Sequence, residues 1–254
     1  MASELIVKIE HLHKSFGEQK VLDDVSITVE AGENLVVFGR SGSGKSVLLK
    51  CLVGLLRPEK GNVHVLGEDV LSLSMKGLNE VRKRIGFLFQ SAALYDSMTV
   101  RQNLSFPLQR NFQFTQAEVT HKVERALEMV SLRDAIDKMP SELSGGMKKR
   151  IGLARSIITE PKLMLYDEPT TGLDPITTKE ISKLIRDLQK ELNMTSIAVT
   201  HDLICAEIIE DRTIVLRDGK IAHEGVLENL VHSDDPFLKN FFSKEIFEEL
   251  SGSI

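Results

Sequence analysis

The sequence of 254 residues contains no tryptophan, only two cysteines and 5% aromatic residues. Cys51 and Cys205 both lie among apolar neighbours, so they provide neither a disulfide framework nor a zinc site, and we expect a reducing compartment. Basic residues are also in deficit, because 32 Lys and Arg against 37 Asp and Glu give a formal net charge of −5. This sign argues against nucleic acid as a partner.

A long hydrophobic run is missing as well. The most apolar stretch, residues 47–56, contains Lys50 and is far shorter than the roughly 18–20 apolar residues that cross a bilayer. The first ten residues lack the charge and apolar pattern of a secretory or transit peptide. We therefore expect a chain that remains in the compartment where it is made.

The sequence does contain apolar runs that alternate with amphipathic segments, at 42% hydrophobic and 27% charged residues. Alternating residues predict half-exposed strands at 5–10 and 26–29, joined by a turn near Gly17. Continuous apolar runs predict buried strands, and apolar residues at helical spacing predict helices. These buried strands are 35–38, 85–89, 163–166 and 196–199, and these helices are 45–56, 116–132, 144–159 and 175–192.

The order of these segments predicts the fold class and its divisions. Strands that alternate with helices specify an α/β fold with a parallel sheet and crossover helices. Residues 92–155 are expected to form a mostly helical insertion, and Asp218-Gly219 predicts a β-hairpin that a short helix follows. We expect residues 1–234 to form one domain and residues 235–254 a C-terminal tail that is available for contact with a partner.

One motif lies between the predicted buried strand and the first helix, and it matches G-x-x-x-x-G-K-[ST] in the context that this pattern requires. Backbone N–H groups of such a loop turn inward around phosphate oxygens, and the helix N-terminus adds partial positive charge, unlike a chance glycine-rich turn. We expect Lys45 to reach the β- and γ-phosphates and Ser46 to bind Mg²⁺. The predicted nucleotide-binding residues of the loop are Gly39, Arg40, Ser41, Gly42, Ser43, Gly44, Lys45 and Ser46.

An acidic pair, Asp167-Glu168, ends the predicted strand 163–166. Ligands of doubly wound sheets bind beyond the carboxyl ends of the strands, so this pair faces the phosphates if its strand neighbours strand 35–38. Asp167 would then hold Mg²⁺ through water, and Glu168 would be the general base for attack on the γ-phosphate. An acidic strand end alone is more often a solvated turn or helix cap, but the phosphate loop favours the catalytic interpretation.

Two further polar residues end strands at the same edge. His201 follows strand 196–199, where its imidazole could contact the γ-phosphate, and Gln90 follows strand 85–89, where its amide could meet Mg²⁺ or the attacking water. Each has an alternative interpretation as a structural residue at a strand end. The catalytic hypothesis for both therefore depends on the neighbouring motifs.

A second phosphate-binding helix end is predicted at Ser144-Gly145-Gly146, where a Ser N-cap and two glycines expose backbone donors. An ordinary capped helix is equally consistent with these three residues. If the two helix ends cannot converge within one molecule, two chains arranged head to tail could place this end on the partner's nucleotide.

Taken together, these motifs resemble the nucleotide-binding subunit of ABC (ATP-binding cassette) transporters over about residues 5–232. The resemblance implies a P-loop NTPase core with a parallel sheet, an N-terminal antiparallel β subdomain and a helical insertion. It also implies a role for each motif. The corresponding positions are Phe16 for adenine stacking, 39–46 for Walker A, Gln90 for the Q-loop, 144–148 for the ABC signature, 163–168 for Walker B with the catalytic glutamate, 172–174 for the D-loop and His201 for the switch histidine.

The same resemblance implies ATP with Mg²⁺ and a head-to-tail homodimer that sandwiches the nucleotide. Lys45 and Glu168 of one subunit would act on ATP that Ser144 and Gly146 of the other subunit clamp. Hydrolysis would reopen the pair and move attached membrane subunits, which places the chain peripherally at the cytoplasmic face of the inner (plasma) membrane.

Within that family, three segments look like the ATPase of Mla-type (maintenance of lipid asymmetry) systems, which carry phospholipids between membranes. These segments are residues 90–100, 144–150 and 165–175. The resemblance implies a permease helix in a groove near residues 91–103, a lipid-binding protein in the same complex and a small regulatory partner near the tail. Phe16 in place of the usual Tyr and Met147 in place of the common Gln depart from the family pattern, and each loses a polar group.

Other functions stay open at this point. An importer ATPase for another solute would share these motifs, because substrate contacts lie in other polypeptides. A soluble ABC protein of translation or DNA repair usually has two cassettes or a long coiled-coil insertion, and this chain has neither. An ATP-binding regulator without turnover would be expected to lack a base at Glu168.

Overall fold

The computed structural model describes residues 4–251, with side chains described for residues 4–243. Strands and helices alternate along the chain, as the apolar pattern predicts. The strands are β1 (Leu5–Phe16), β2 (Gln19–Glu30), β3 (Asn34–Phe38), β4 (Lys60–Val65), β5 (Glu68–Asp69), β6 (Ile85–Leu88), β7 (Leu163–Asp167), β8 (Thr195–Thr200), β9 (Arg212–Arg217) and β10 (Lys220–Gly225). The helices are α1 (Lys45–Leu52), α2 (Met75–Arg82), α3 (Val100–Asn111), α4 (Gln116–Met129), α5 (Gly145–Ile157), α6 (Pro175–Glu191), α7 (Leu203–Ile209), α8 (Leu227–Val231) and α9 (Pro236–Ser251).

The chain opens with an antiparallel sheet of order β2-β1-β4-β5. β1 and β2 form the expected hairpin around Gly17, whose φ of 61° lies in the left-handed region that glycine adopts without steric cost. Both strands are longer than the predicted segments, because β-bulges continue the pairing as far as Phe16 and Gln19. This sheet is the antiparallel subdomain that the sequence predicts.

The second sheet has the order β10-β9-β3-β8-β7-β6, and all pairs except β9–β10 are parallel. It confirms the α/β class. The condition set for the acidic pair is not met, because β8 lies between β7 and β3. The carboxyl ends of β3, β8, β7 and β6 nevertheless open at one edge, which is the arrangement that a site at this edge needs.

The second sheet has an apolar layer on each face. Val36 and Phe38 of β3 belong to the cluster with the helical insertion, whereas Leu35 and Val37 belong to the cluster with α1 and the antiparallel sheet. A strand that is buried on both faces reads as a continuous apolar run, which explains the run at 35–38.

Several helices end earlier than their apolar pattern predicts. α1 stops at Leu52 rather than near residue 56, and α4 stops at Met129 rather than 132. A residue with positive φ follows each end, Gly54 at 62° and Ser131 at 58°, and this left-handed residue turns the chain away from the helix axis.

The segment between β6 and β7 contains α3, α4 and α5, so it is mostly helical, and α5 continues to Ile157. The bounds 92–155 of the helical insertion stay a prediction. The tail forms helix α9, and its Leu238, Phe241 and Phe242 are buried in the same cluster as Phe38. The boundary predicted after residue 234 stays a prediction. Among the described residues, no helix combines the length and the apolarity needed to span a bilayer.

Candidate active site

The loop from Gly39 to Gly44 connects β3 to α1 at the carboxyl edge of the sheet. Gly42 and Gly44 have φ values of 80° and 102°, which other residues rarely adopt. A Cβ at Gly44 would lie 2.8 Å from the carbonyl oxygen of Val21, and a Cβ at Gly39 would lie 2.7 Å from that of Leu216. The three glycines therefore allow a tight loop that ends in the N-terminus of α1.

Lys45 is the first residue of α1, and its side chain is buried at 5% exposure. Its Nζ donates to the carbonyl oxygens of Gly39 at 2.5 Å and Arg40 at 3.2 Å. The same Nζ lies 3.1 Å from Oε1 of Glu168. A buried cation thus stands inside the loop, opposite the acidic end of β7.

Ser46 and Asp167 meet in spite of the strand between β3 and β7. The Ser46 hydroxyl donates to Oδ1 of Asp167 at 2.6 Å, and Asp167 is only 6% exposed. The two residues that the sequence predicts as magnesium ligands are therefore already in contact.

Glu168 follows β7 with φ of 50°, in the left-handed region that is costly for a residue with a side chain. Its Oε2 lies 2.8 Å from Nδ1 of His201, and the Thr171 hydroxyl donates to the same oxygen at 3.3 Å. Burial alone would raise the pKa of the Glu168 carboxyl, but the hydrogen bond from His201 and the charge of Lys45 hold this pKa below its ordinary value.

Half of the predicted site residues line one cavity of about 240 Å³. Its wall contains the predicted residues Ser41, Gly42, Gly44, Lys45, Ser46, Gln90, Glu168 and His201. The structure thus brings together the loop and the ends of three other strands.

The groups in the wall of this cavity and directly beside it fit a triphosphate with Mg²⁺: Lys45 and Ser46 line the cavity, whereas Ser43 and Asp167 adjoin its wall residues. The Ser43 hydroxyl of the loop is buried and has no hydrogen-bond partner among the described residues. Lys45 supplies a buried positive charge, and Ser46 and Asp167 supply the oxygen ligands that Mg²⁺ prefers. The unpartnered hydroxyl and the enclosed cation are the features that phosphate oxygens would satisfy.

Other predicted residues lie outside this cavity. Phe16 is 49% exposed, with Nζ of Lys14 5.2 Å from its ring centroid. Arg40 and Ser43 line a neighbouring cavity of about 610 Å³, between the loop, the β9–β10 turn and α9. Gly39 is buried and shapes the loop from within.

The predicted second helix end also stands apart from the cavity. The Ser144 hydroxyl accepts a hydrogen bond from the backbone N–H of Met147 at 3.3 Å and so caps α5. Gly145 and Gly146 begin that helix, and the cavity wall, as far as the structure describes it, contains none of these three residues. Within one chain, the two helix ends therefore do not line the same cavity.

The sequence analysis missed Lys149, which is 6% exposed on α5. Its Nζ donates to the backbone carbonyl oxygens of Gln90 at 2.5 Å and Glu168 at 3.2 Å. Burial lowers the pKa of the Lys149 ammonium to about 8. The sequence does contain a signal for its burial: Lys149 lies four residues before Leu153, which places both residues on the same, apolar face of the predicted helix.

The loop, its buried lysine and the acidic end of β7 define the class of the protein, which is a P-loop NTPase. A family model described as "ABC transporter" matches residues 22–171, more than half of the chain. The chain therefore belongs to the ABC transporter family. It is an ATPase of this class, with ATP as its nucleotide and Mg²⁺ as the usual metal.

Two curated relatives illustrate the range of this family. A Mycobacterium bovis protein named "probable ribonucleotide transport ATP-binding protein mkl" is 40% identical over 237 residues, which cover 93% of this chain and 66% of that protein. The methionine import ATP-binding protein MetN of Brucella abortus is 40% identical over 220 residues, which cover 87% of this chain and 59% of that protein. The chain thus spans less than two thirds of the length of either relative.

Two solved structures share the fold over nearly their whole length. The dimeric ATP-binding cassette MJ0796 bound to ADP and Pi has a TM-score of 0.80 and 31% identity, covering 87% of this chain and 98% of that one. The cbiO1 protein of Clostridium perfringens, part of the ABC transporter complex cbiONQ, has a TM-score of 0.83 and 29% identity, covering 98% and 99% of the two chains.

Proposed function

We propose that the chain is the ATP-hydrolysing subunit of an ABC transporter and that it powers phospholipid transport between membranes through a permease partner. The observation that carries the motor function is the placement of the Glu168 carboxylate beside the buried Lys45 in the loop cavity. The phospholipid assignment has separate support, which is the Mla-like sequence of residues 90–100, 144–150 and 165–175.

Lys45 has a defined task in this proposal. Its ammonium group neutralises phosphate charge, so it exchanges the carbonyl oxygens of Gly39 and Arg40 for phosphate oxygens when ATP enters. The ion pair with Glu168 breaks in the same movement, which leaves that carboxylate facing the cavity. Loop backbone N–H groups and the Ser43 hydroxyl complete the phosphate contacts.

The remaining residues hold the metal and the water. Ser46, Asp167 and the Gln90 side chain would hold Mg²⁺, which would supply positive charge next to the phosphate oxygens. Ser46 and Asp167 contact each other, and Ser46 and Gln90 both line the cavity. Glu168 accepts the proton of the attacking water, and His201, which contacts Oε2 of Glu168, lies where it can orient the γ-phosphate.

A second copy of the chain completes the site. Ser144, Gly145 and Gly146 expose the N-terminus of a helix of 13 residues, yet they lie outside the cavity of their own chain. A head-to-tail homodimer brings this end to the partner's nucleotide, and the dimeric MJ0796 cassette supports this arrangement by similarity. Phe16 keeps its proposed role as the exposed ring on which adenine stacks.

A permease helix would occupy a groove next to the site. A cavity of about 480 Å³ extends from β6 to α3 and includes Ala93 and Tyr95 of the predicted segment 91–103. Phe87 and Phe89 stack in its wall with centroids 4.1 Å apart. We propose that this contact holds the chain at the cytoplasmic face of the inner membrane, where a lipid-binding protein and a small regulator near residues 235–254 join the complex.

An importer ATPase for another solute is the second candidate. The 40% identity to the protein named methionine import ATP-binding protein MetN favours it, because a similar sequence belongs to an import ATPase there. Purification from native membranes separates the two functions. A co-isolated permease with a lipid-binding protein supports phospholipid transport, whereas a solute-binding protein supports the importer.

Glu168→Gln tests the proposed motor function. Turnover of ATP should fall by about 10²- to 10⁴-fold, because the base is lost, while nucleotide binding and ATP-driven dimerisation persist. Glu160→Gln, at an exposed glutamate that pairs with Lys122, is the matched control and should keep its turnover. Unchanged turnover in Glu168→Gln would remove this residue from the mechanism.

Two further variants test the nucleotide contacts. Lys45→Ala should weaken ATP binding itself, whereas a Ser144 variant should lower hydrolysis and leave binding to the single chain intact. An equal mixture of the two variants should recover at most one working site per dimer. Two full sites in that mixture would contradict the shared-site geometry.

A further inference from the structure

Lys149 is a charged side chain that the proposed mechanism has not used so far. It lies on α5, five residues after Ser144, and only 6% of it is exposed. A lysine is rarely buried without partners that compensate its lost hydration. The hydrogen-bond partners of Lys149 therefore indicate the role of this buried side chain.

Both partners are backbone carbonyls of proposed site residues. Nζ donates to the carbonyl oxygen of Gln90, which follows β6, and to that of Glu168, which follows β7. One ammonium group thus joins the segments that follow two adjacent strands, β6 and β7, at the edge where the site opens. The described hydrogen bonds of Lys149 go to the backbone, its interaction with the Glu168 carboxylate is through charge alone, and both residues of the pair line the cavity.

The contact matters most at Glu168, whose φ of 50° lies in the sparsely populated left-handed region. Such a conformation persists when surrounding contacts hold both sides of the residue. The Glu168 N–H donates to the carbonyl oxygen of Val199 at 2.9 Å. Its own carbonyl oxygen accepts from Nζ of Lys149 at 3.2 Å and from the N–H of Thr171 at 3.4 Å. Lys149 therefore makes the shorter, charge-assisted contact on the second side of the residue that aims the carboxylate.

Other residues of α5 also hold the loop that follows Gln90 against this helix. Arg155 donates to the carbonyl oxygens of Ala92 and Ala93, both at 2.8 Å, and these two alanines also have positive φ, 59° and 48°. A Cβ at Gly152 would lie 2.9 Å from the Cβ of Ala92, so glycine permits the close approach of the helix. Of these described α5 residues, Lys149 is the one that also binds the backbone of Glu168.

We propose that Lys149 is a positioning residue that sets the Glu168 carboxylate relative to Gln90 and ties both to the helix that begins at Ser144. The inference rests on the proposed function, because it assumes that Glu168 is the base. A movement of α5 would then shift the Glu168 carboxylate through the side chain of Lys149.

Lys149→Met removes the donors and keeps the chain length. We expect the kcat for ATP to fall by about 10- to 100-fold, as for a displaced catalytic group, while KM and ATP affinity stay within about 2-fold. Lys149→Arg keeps donors for both carbonyls and should restore kcat to within about 3-fold. Lys122→Met, which removes a helix lysine paired with Glu160, is the control and should leave kcat unchanged.

A double-mutant cycle distinguishes positioning from a general loss of structure. In the Glu168→Gln background, Lys149→Met should lower the residual turnover by less than about 2-fold, because its target carboxylate is gone. A full effect in that background, or a kcat of Lys149→Met within about 2-fold of the unmodified protein, would overturn the inference. Failure of Glu168→Gln itself to lower turnover would instead overturn the proposed function.

A folding defect also has a defined meaning. If Lys149→Met does not fold, Lys149→Leu, which also lacks donors, replaces it with the same criteria. If neither these two variants nor Lys149→Arg folds, Lys149 is a folding determinant and the positioning role is refuted.

Discussion

Replacement of Tyr166 by phenylalanine should stabilise the protein. Tyr166 lies on β7 between β6 and β8 at 0% exposure, and its hydroxyl has no hydrogen-bond partner among the described residues. Burial raises the pKa of this phenol, so the group is neutral and its cost is the lost hydration. An unsatisfied buried hydroxyl costs about 1–3 kcal/mol, and the small void that replaces the oxygen offsets part of the gain. We expect a net gain of about 1 kcal/mol, which raises Tm by about 2–4 °C for a chain of this size.

Calorimetry and urea unfolding of Tyr166→Phe measure this gain. Tyr95→Phe is the matched control, because the only other tyrosine is 46% exposed and its loss should change stability by less than about 0.5 kcal/mol. ATP turnover should stay within about 2-fold, since the ring beside Asp167 is retained. A fall in Tm for Tyr166→Phe would mean that the hydroxyl has a partner, and the reasoning would be refuted.

Three other predictions concern packing, acid stability and thiol chemistry. Gly86→Ala would place a Cβ 2.4 Å from a backbone carbonyl oxygen of α5; urea unfolding should show a loss of about 3 kcal/mol, and an unchanged midpoint would contradict the contact. Burial would raise the pKa of Asp211, but the hydrogen bond from Arg186 helps hold it below the ordinary value of 3.8. The stabilisation is therefore present above about pH 4 and lost below it, so Asp211→Asn should flatten the decline of Tm in acid; parallel curves would refute this. Burial raises the pKa of Cys51 to about 11 and of Cys205 to about 12; a thiol reagent at about pH 8 should label both only after unfolding, and prompt labelling of the native protein would be the contrary result.

The phosphate loop could be predicted from sequence because its determinants are contiguous. A buried strand, the glycines and Lys45 follow one another within 11 residues from Leu35, and each constrains the conformation of the next. The sequence predicts Ser46 and Asp167 as ligands of one magnesium ion, and it places the acidic pair at the phosphates on the condition that β7 neighbours β3. That condition is not met, but the two residues contact each other across β8 because parallel strands end at a common edge.

Other features had no local signal. The left-handed residues that end α4, α5 and α6 are Ser131, Glu160 and Asn193, none of them glycine, so the apolar pattern alone overruns the first helix by three residues. The bridge made by Lys149 joins residues 59 and 19 positions away in the chain. Only the packed fold brings those carbonyl groups to one ammonium, and tertiary contacts of this kind leave no periodicity in the sequence.

The aromatic contact of α9 affects anyone who shortens this chain. Phe38 immediately precedes the phosphate loop, and the rings of Phe241 and Phe242 both lie with centroids 5.7 Å from its ring. In a protein truncated before residue 237, Phe38 would lose its ring contacts with Phe241 and Phe242, and the strand that leads into the loop would be less well packed. Weak ATP affinity after such a truncation would then result from lost packing beneath the phosphate loop. It would not show that the tail serves only to contact a partner.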